Sequence, residues 1–280
     1  ALLRQDFPWV TVLAQPANMG PAHNRNVAIA AGSNPYIVIF DDDAYLDDID
    51  WLEKAVAYME AKPEVGQLAA MSVNGFDPEI LLDCGIVKNW YLFGGLFHNV
   101  REQDAAGKHD TARVVLGACS AGTILRRDLF NLIGGFDAGY FYPCEDLDLS
   151  LRIHLAGFSV RYEPRLKVYH YESQAMGKSL ARKMYLYRRN CLVTLSENFP
   201  WPHVLAMVCG VVGREVALPA MRYLANIVLR KNREPFPRST IDFLHALGCV
   251  VAHLPDILRK RRRVNRFRKR PRSYLLQVNR

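Results

Sequence analysis

The chain has 280 residues, half of them apolar, which makes it a globular protein with material for a substantial core in one large domain or two ordinary ones. Its 36 Lys+Arg against 28 Asp+Glu give a formal net charge of +8, but ten basic residues and no acidic one fall in RKRRRVNRFRKRPR, residues 259–272, so the remainder is slightly acidic and the basic end favours acidic partners. The six cysteines, at 84, 119, 144, 191, 209 and 249, show no CxxC pair or zinc-like spacing and read as reduced thiols. No secretory signal opens the chain, and no apolar run approaches the roughly 18–20 residues that span a bilayer.

Strands alternate with helices up to about residue 172. VTVLAQP reads as a short strand and HNRNVAIAA as a helix with Val27, Ala30 and Ala31 on one face. YIVIF is an unbroken apolar run, as expected of a central strand covered on both faces. Asp41, Asp42 and Asp43 follow it directly. Next, Asp50 and Glu53 form a capping-box pattern before WLEKAVAYMEA, whose Leu52, Ala55, Val56 and Met59 make an apolar stripe; capping and the helix dipole account for Asp47, Asp48 and Asp50. QLAAMSV is another strand, the segment from Asp77 to Asp110 reads as irregular, and ARVVLGACSAGTILRRDLFNLIGGF gives strand, turn, strand and short helix. In YFYPCEDLDLSLRIHLAGFSV three acids, Glu145, Asp146 and Asp148, crowd the entrance of a helix that carries Leu147, Leu151 and Leu155 on one side. SVRYEP and LKVYHY are the last strands. This alternation predicts an α/β protein with a mostly parallel sheet between helices.

Two of these acidic groups exceed what local structure needs. Adjacent carboxylates raise the cost of ionising one another, and Asp41–Asp43 sit at the carboxyl end of a strand, where open α/β sheets bind ligands. Carboxylates one residue apart suit a hard divalent cation such as Mg²⁺ or Mn²⁺ that shares its remaining positions with phosphate oxygens. The helix dipole covers part of the Glu145, Asp146 and Asp148 cluster; an ionised carboxylate facing a cleft there can also take a proton from a hydroxyl.

The set NMGPAHNRN (18–26), FDDD, GACSAGTILRRDLFNLIGGFDAGYFYPCEDLDLSLR, VYHY and RKMYLYRRN resembles, in order and spacing, the inverting family 2 glycosyltransferases of the GT-A (Rossmann-like) fold, and among them the rhamnosyltransferase and galactofuranosyltransferase branches. The resemblance spans residues 10–190 and implies a GT-A catalytic domain over 1–175, a helical region over 176–258 and a basic tail over 259–280. It implies that Asp41 and Asp43 are the ends of a DXD motif, with Asp43 the direct metal ligand, His170 completing the metal shell and Asp42 near the donor ribose or sugar. It further implies that Asp146 is the catalytic base, that Glu145 and Asp148 orient it or contact the acceptor, that Arg25 lies near the nucleotide, and that Asn18, Gly20, Asn26 and Gly122 shape the donor site. The expected chemistry is single-displacement transfer of a sugar from a nucleotide-diphosphate sugar to a glycan or lipid-linked acceptor. Against the family pattern, the strands that read the nucleotide base are missing before Ala1, so the domain reads as N-terminally incomplete.

Beyond residue 176 the pattern is helical. Arg214, Glu215 and Pro219 break the apolar residues too often for a spanning helix, which leaves a helical cap on the catalytic domain or amphipathic helices on an anionic membrane; the basic tail favours the second, on the inner face of the cell membrane. Nucleic-acid binding by the tail, with Phe267 and Tyr274 as stacking groups, and an inactive scaffold are the competing readings.

Overall fold

The computed structural model describes residues 2–87, 102–103, 107, 109–171, 180–229 and 238–278. In chain order its elements are α1 (Leu2–Asp6), α2 (Pro21–Ala30), β1 (Tyr36–Ile39), β2 (Ala44–Tyr45), α3 (Trp51–Ala61), β3 (Val65–Asn74), β4 (Ile80–Asp83), β5 (Glu102–Gln103), β6 (Arg113–Val114), β7 (Thr123–Arg126), α4 (Arg127–Ile133), α5 (Glu145–Leu155), β8 (Ser159–His170), α6 (Leu180–Asn198), α7 (Trp201–Val212), α8 (Leu218–Val228), α9 (Arg238–Ala252) and α10 (Leu254–Phe267).

The sheet is mixed rather than mostly parallel. β1 pairs with β7, β7 with β3, and β3 with β8, and among the described residues only the β3–β8 pair is parallel. β7 runs against both of its neighbours, so β1, β3 and β8 share one direction although β1 is held apart from β3. β1 is an edge strand among the described residues, and its side chains alternate between half-buried and buried instead of being covered on both faces. VTVLAQP forms no strand, and SVRYEP and LKVYHY join as the single strand β8 with a register shift opposite Ala70 and Met71.

Helices cover both faces. α3 packs on one through Trp51, Ala55, Tyr58 and Met59, while Leu52, expected inside, is 54% exposed. The capping box does not form: Asp48 accepts from the Asp50 N–H at 3.0 Å and pairs with Lys54 at 2.7 Å, and the Asp50 side chain caps nothing. α2, α4 and α5 cover the other face. On α2 the buried residues are Ala22 and Ile29, not Ala30 or Val27, because its next turn is committed to polar contacts of Arg25 and Asn26.

The outer side of α5 carries a second core. Leu147, Leu151 and Leu155 meet Leu195 of α6, Val204 of α7, Val264 of α10 and the terminal Leu275 and Val278. The basic stretch is therefore not a free tail: Lys260 pairs with Asp137 at 2.5 Å and Glu197 at 3.2 Å, and Lys269 and Arg270 donate backbone N–H groups to the Leu155 carbonyl. Phe267 and Tyr274, offered above as stacking groups, pack against this core. α7 and α8 run through a π-turn at Gly213–Ala217 as one 28-residue helix, Trp201–Val228, long and apolar enough by length and composition to cross a bilayer, which corrects the sequence reading. Pro219 is tolerated because the Glu215 carbonyl it leaves without an N–H partner accepts from the Thr240 hydroxyl at 2.7 Å.

A fully buried Leu275 predicts that Leu275→Ala destabilises the chain by about 2–5 kcal/mol in urea unfolding. A change below about 0.5 kcal/mol, normal for exposed positions, would show that the terminus is not docked.

Candidate functional site

The chain leaves β1 beside β7 and re-enters the sheet as β2 beside β8, so residues 40–43 cross the start of the antiparallel β7 and the carboxyl end of β3 between them. The crossing fixes the aspartates. Ala44 is in register with His170, the Tyr171 N–H donates to the Asp43 carbonyl at 2.9 Å, and a ring nitrogen of His170 lies 2.9 Å from an Asp43 carboxylate oxygen. Asp41 is held from α2 by Arg25, whose Nη2 donates to it at 2.7 Å. One potential ligand atom from each of Asp41, Asp43 and His170 falls within 4.8 Å of the others. Two carboxylates and an imidazole fit a six-coordinate divalent cation that takes its other ligands from water and phosphate; the nitrogen suits Mn²⁺ better than Mg²⁺. Asp42, between them, is exposed and makes none of these contacts.

Glu145 and Asp146 open α5 on the opposite wall. The turn that delivers them places two non-glycine residues at positive φ, Phe141 at 59° and Cys144 at 86°, a backbone cost that surrounding structure must hold. The second arm of Arg25, Nη1, donates to Glu145 at 3.0 Å, so one guanidinium ties the DDD crossing to the helix start. Burial pushes both carboxyls up, Glu145 to about 8 with help from the adjacent Asp146, and Asp146 to about 6, each against the pull of Arg25. These groups line one cleft of about 420 Å³, closed on the α6 side by Lys183 and Tyr187.

The other sequence candidates lie around the cleft. Asn18 accepts from the Gly20 N–H at 3.0 Å, and Gly20 has φ +81° with the Phe141 carbonyl 2.8 Å from where a Cβ would stand. Asn26 clamps the Phe136 N–H and carbonyl at 2.9 and 2.8 Å. Gly122, at φ +143°, leaves no room for a Cβ against Val168, and its neighbour Ala121 lines the cleft. Asp148 belongs elsewhere: it accepts from Arg152 at 2.9 Å and Asn198 at 2.8 Å, and borders a separate cavity of about 230 Å³ shared with Glu197 and Lys260. Sequence reasoning passed over Ser72, Asp83, Cys119, Ser120, Tyr142, Lys183 and Tyr187, all of which line the cleft. Lys183 and Tyr187 had a usable signal in their spacing of four on a helix; Ser72 had one as a polar residue in an apolar strand.

Residues 2–133 match the family model Glycosyl transferase family 2. The chain is 29% identical over 157 residues to O-antigen biosynthesis protein RfbC of Myxococcus xanthus, covering 55% of this chain and 12% of that protein. It is 28% identical over 171 residues to rhamnosyltransferase WbbL of Escherichia coli K12, covering 54% and 61%. To the N-acetylglucosaminyl-diphospho-decaprenol L-rhamnosyltransferase of Mycobacterium tuberculosis it is 31% identical over 82 residues, 29% and 26%. The chain thus spans less than two thirds of each relative. Among solved structures, that of GalNAc-T7 with UDP, GalNAc and Mn²⁺ matches 71% of this chain and 38% of its own at 15% identity with TM-score 0.54, a likeness of fold. The chain carries a Glycosyl transferase family 2 domain, and its α/β fold is GT-A, as the resemblance implied.

Because Arg25 holds down both carboxyls, Arg25→Gln should raise the titration midpoint of Asp146 and of Glu145, read by carbon-13 carboxyl shifts. Unchanged midpoints would show that the guanidinium does not govern the pair.

Proposed function

We propose that this chain is an inverting glycosyltransferase that moves a sugar from a nucleotide-diphosphate donor, dTDP-rhamnose or a UDP-sugar, to a hydroxyl of a lipid-linked or polysaccharide acceptor. The observation that carries the reading is the single cleft that brings Asp146 to one wall and Asp41 and His170, with Asp43 beside them at its edge, to the other, with Arg25 between. The relatives named as rhamnosyltransferases, one acting on a diphospho-decaprenol lipid, support the donor and acceptor classes.

In this reading the Asp146 carboxylate accepts the proton of the acceptor hydroxyl as its oxygen bonds to the anomeric carbon. The bond from that carbon to the diphosphate breaks on the far side, the electron pair leaves with the diphosphate, and configuration inverts in one displacement. Arg25 would keep Asp41 and Glu145 in place through the reaction. A Mg²⁺ or Mn²⁺ ion held by Asp41, Asp43 and His170 would supply positive charge to the departing diphosphate.

Asp146→Asn should lower transfer by about 10²- to 10⁴-fold while leaving donor binding intact, since a general base contributes on that order. A base works in its ionised form, so the parent's kcat/KM should rise as pH climbs through about 6 and level off above it. Asp43→Ala or excess EDTA should abolish transfer. Variant turnover within tenfold of the parent, or full activity in EDTA, overturns the respective role.

We further propose that the protein acts on the cytoplasmic face of the cell membrane, bound peripherally to anionic lipid. Supporting this, Leu205, Met221, Leu224 and Val228 are all more than half exposed on the α7–α8 helix, and Arg262, Arg266 and Arg268 are exposed on or just after α10. Removing residues 259–280 would also unpack Val264 and Leu275, so the cleaner test is Arg262→Ala, Arg266→Ala and Arg268→Ala together. Each lost charge should weaken binding to anionic vesicles about fivefold, at roughly 1 kcal/mol per basic residue, and leave neutral vesicles unaffected. Equal binding of parent and variant refutes the electrostatic attachment.

A further inference from the structure

The inner wall of the cleft holds polar groups that the chemistry above does not use. Ser72 and Ser120 are 5% and 4% exposed, both line the cleft, and neither hydroxyl has a hydrogen-bond partner among the described residues. Asp83 stands beside them as the cross-strand partner of Ser72. Its own carboxylate is already engaged by the Gly85 N–H at 2.8 Å and the Cys119 thiol at 3.1 Å. The rest of that wall, Leu82, Ile86 and Ala121, is apolar and offers the serines nothing to bond. Buried hydroxyls without partners are a net cost to the free protein, recovered when a ligand supplies the missing donors and acceptors.

The backbone ties the two serines to opposite ends of the reaction. Ser72 lies on β3 two residues before Asn74, the register partner of His170, and therefore on the same side of the strand, one step in from the metal-ligand group. Ser120 lies just after Gly117, which bridges to Ile86, and lines the cleft together with Asp146; the Ala118 N–H beside it donates at 3.2 Å to the Ser150 hydroxyl on α5, the helix that Asp146 opens. In a single displacement, the group that reaches from the leaving diphosphate to the incoming hydroxyl is the ring being transferred.

We infer that Ser72 and Ser120, backed by Asp83, form a subsite that reads hydroxyl groups of the transferred sugar ring. The inference rests on the glycosyltransferase reading and adds the residues that tell a sugar-bearing nucleotide from a bare one. The test is calorimetry with Mn²⁺ on the 280-residue chain and on Ser72→Ala and Ser120→Ala, using three ligand pairs: dTDP-rhamnose and dTDP, UDP-glucose and UDP, GDP-mannose and GDP. For the pair the parent prefers, each variant should bind the nucleotide sugar about three- to tenfold more weakly and the bare nucleotide as before. Both variants should unfold at or above the parent's Tm, because the hydroxyls they lose bond to nothing among the described residues. Equal weakening of sugar and bare nucleotide, or no weakening of either, overturns the inference and leaves the transferase reading standing. Unchanged donor binding with a raised KM for a lipid-diphosphate N-acetylglucosamine acceptor would overturn it in favour of an acceptor subsite. Absence of any Mn²⁺-dependent nucleotide binding by the parent would overturn the transferase reading itself, and this inference with it.

Discussion

The site depends on one guanidinium. Arg25 is 16% exposed and donates to two carboxylates, Asp41 and Glu145, that lie 16 and 120 residues away in the chain. Without it, the crossing that carries the DDD run and the entrance of α5 would face each other as uncompensated negative charge, and truncating one partner of such a buried network costs about 3–5 kcal/mol. Much of the surrounding loop serves to aim that one side chain. Gly20 and Asn18 start α2 close against Phe141, Asn26 fastens the helix to the Phe136 backbone, and the Phe136 ring lies 5.8 Å from the guanidinium carbon. Residues that the resemblance placed in shaping the donor site thus support the arginine.

α5 is a two-sided element, and its two sides explain why the C-terminal helices matter to the cleft. Its first turn presents Glu145 and Asp146 to the cavity, while its far side buries Leu147, Leu151 and Leu155 against α6, α7 and α10. The polar contacts on that side are equally non-local: Asp148 to Asn198, Arg152 to the Ile133 carbonyl, and Lys260 to both Asp137 and Glu197. Basic residues that look in sequence like a solvated run are therefore partly structural.

What could be read from the chain was what is local. The DDD run, the ED pair and the strand-end histidine each sit within a few residues of a recognisable strand end or helix start, and the structure gathers them around one cleft. Asp148 could have been set apart by geometry alone, since positions two apart on a helix differ by about 200° and cannot share a face with Asp146. The α3 stripe was right at Ala55 and Met59, with Val56 packed at its edge, but its centre lies toward Trp51 and Tyr58 rather than Leu52, and only packing against the sheet sets that rotation. Strand direction was unreadable because an antiparallel β7 between β1 and β3 leaves no mark in the composition of either. The Arg25 bridge, built across 120 residues, has no local signature at all.

The three adjacent aspartates make sense as part of the balance of charge in the cleft. Asp41, Asp83, Glu145 and Asp146 line it, with Asp43 at its edge, against Arg25 and Lys183. Arg25 is already spent on two of those carboxyls. A nucleotide diphosphate entering such a space would meet a crowd of carboxyls whose ionisation is already opposed, at Glu145 by burial first and by the neighbouring Asp146 second. A cleft of this sign suits an anionic substrate only when a cation arrives with it. On the proposed reading, Asp41, Asp43 and His170 would receive that cation, and the acidity that would exclude the diphosphate alone would become a means of admitting it only in its metal-bound form.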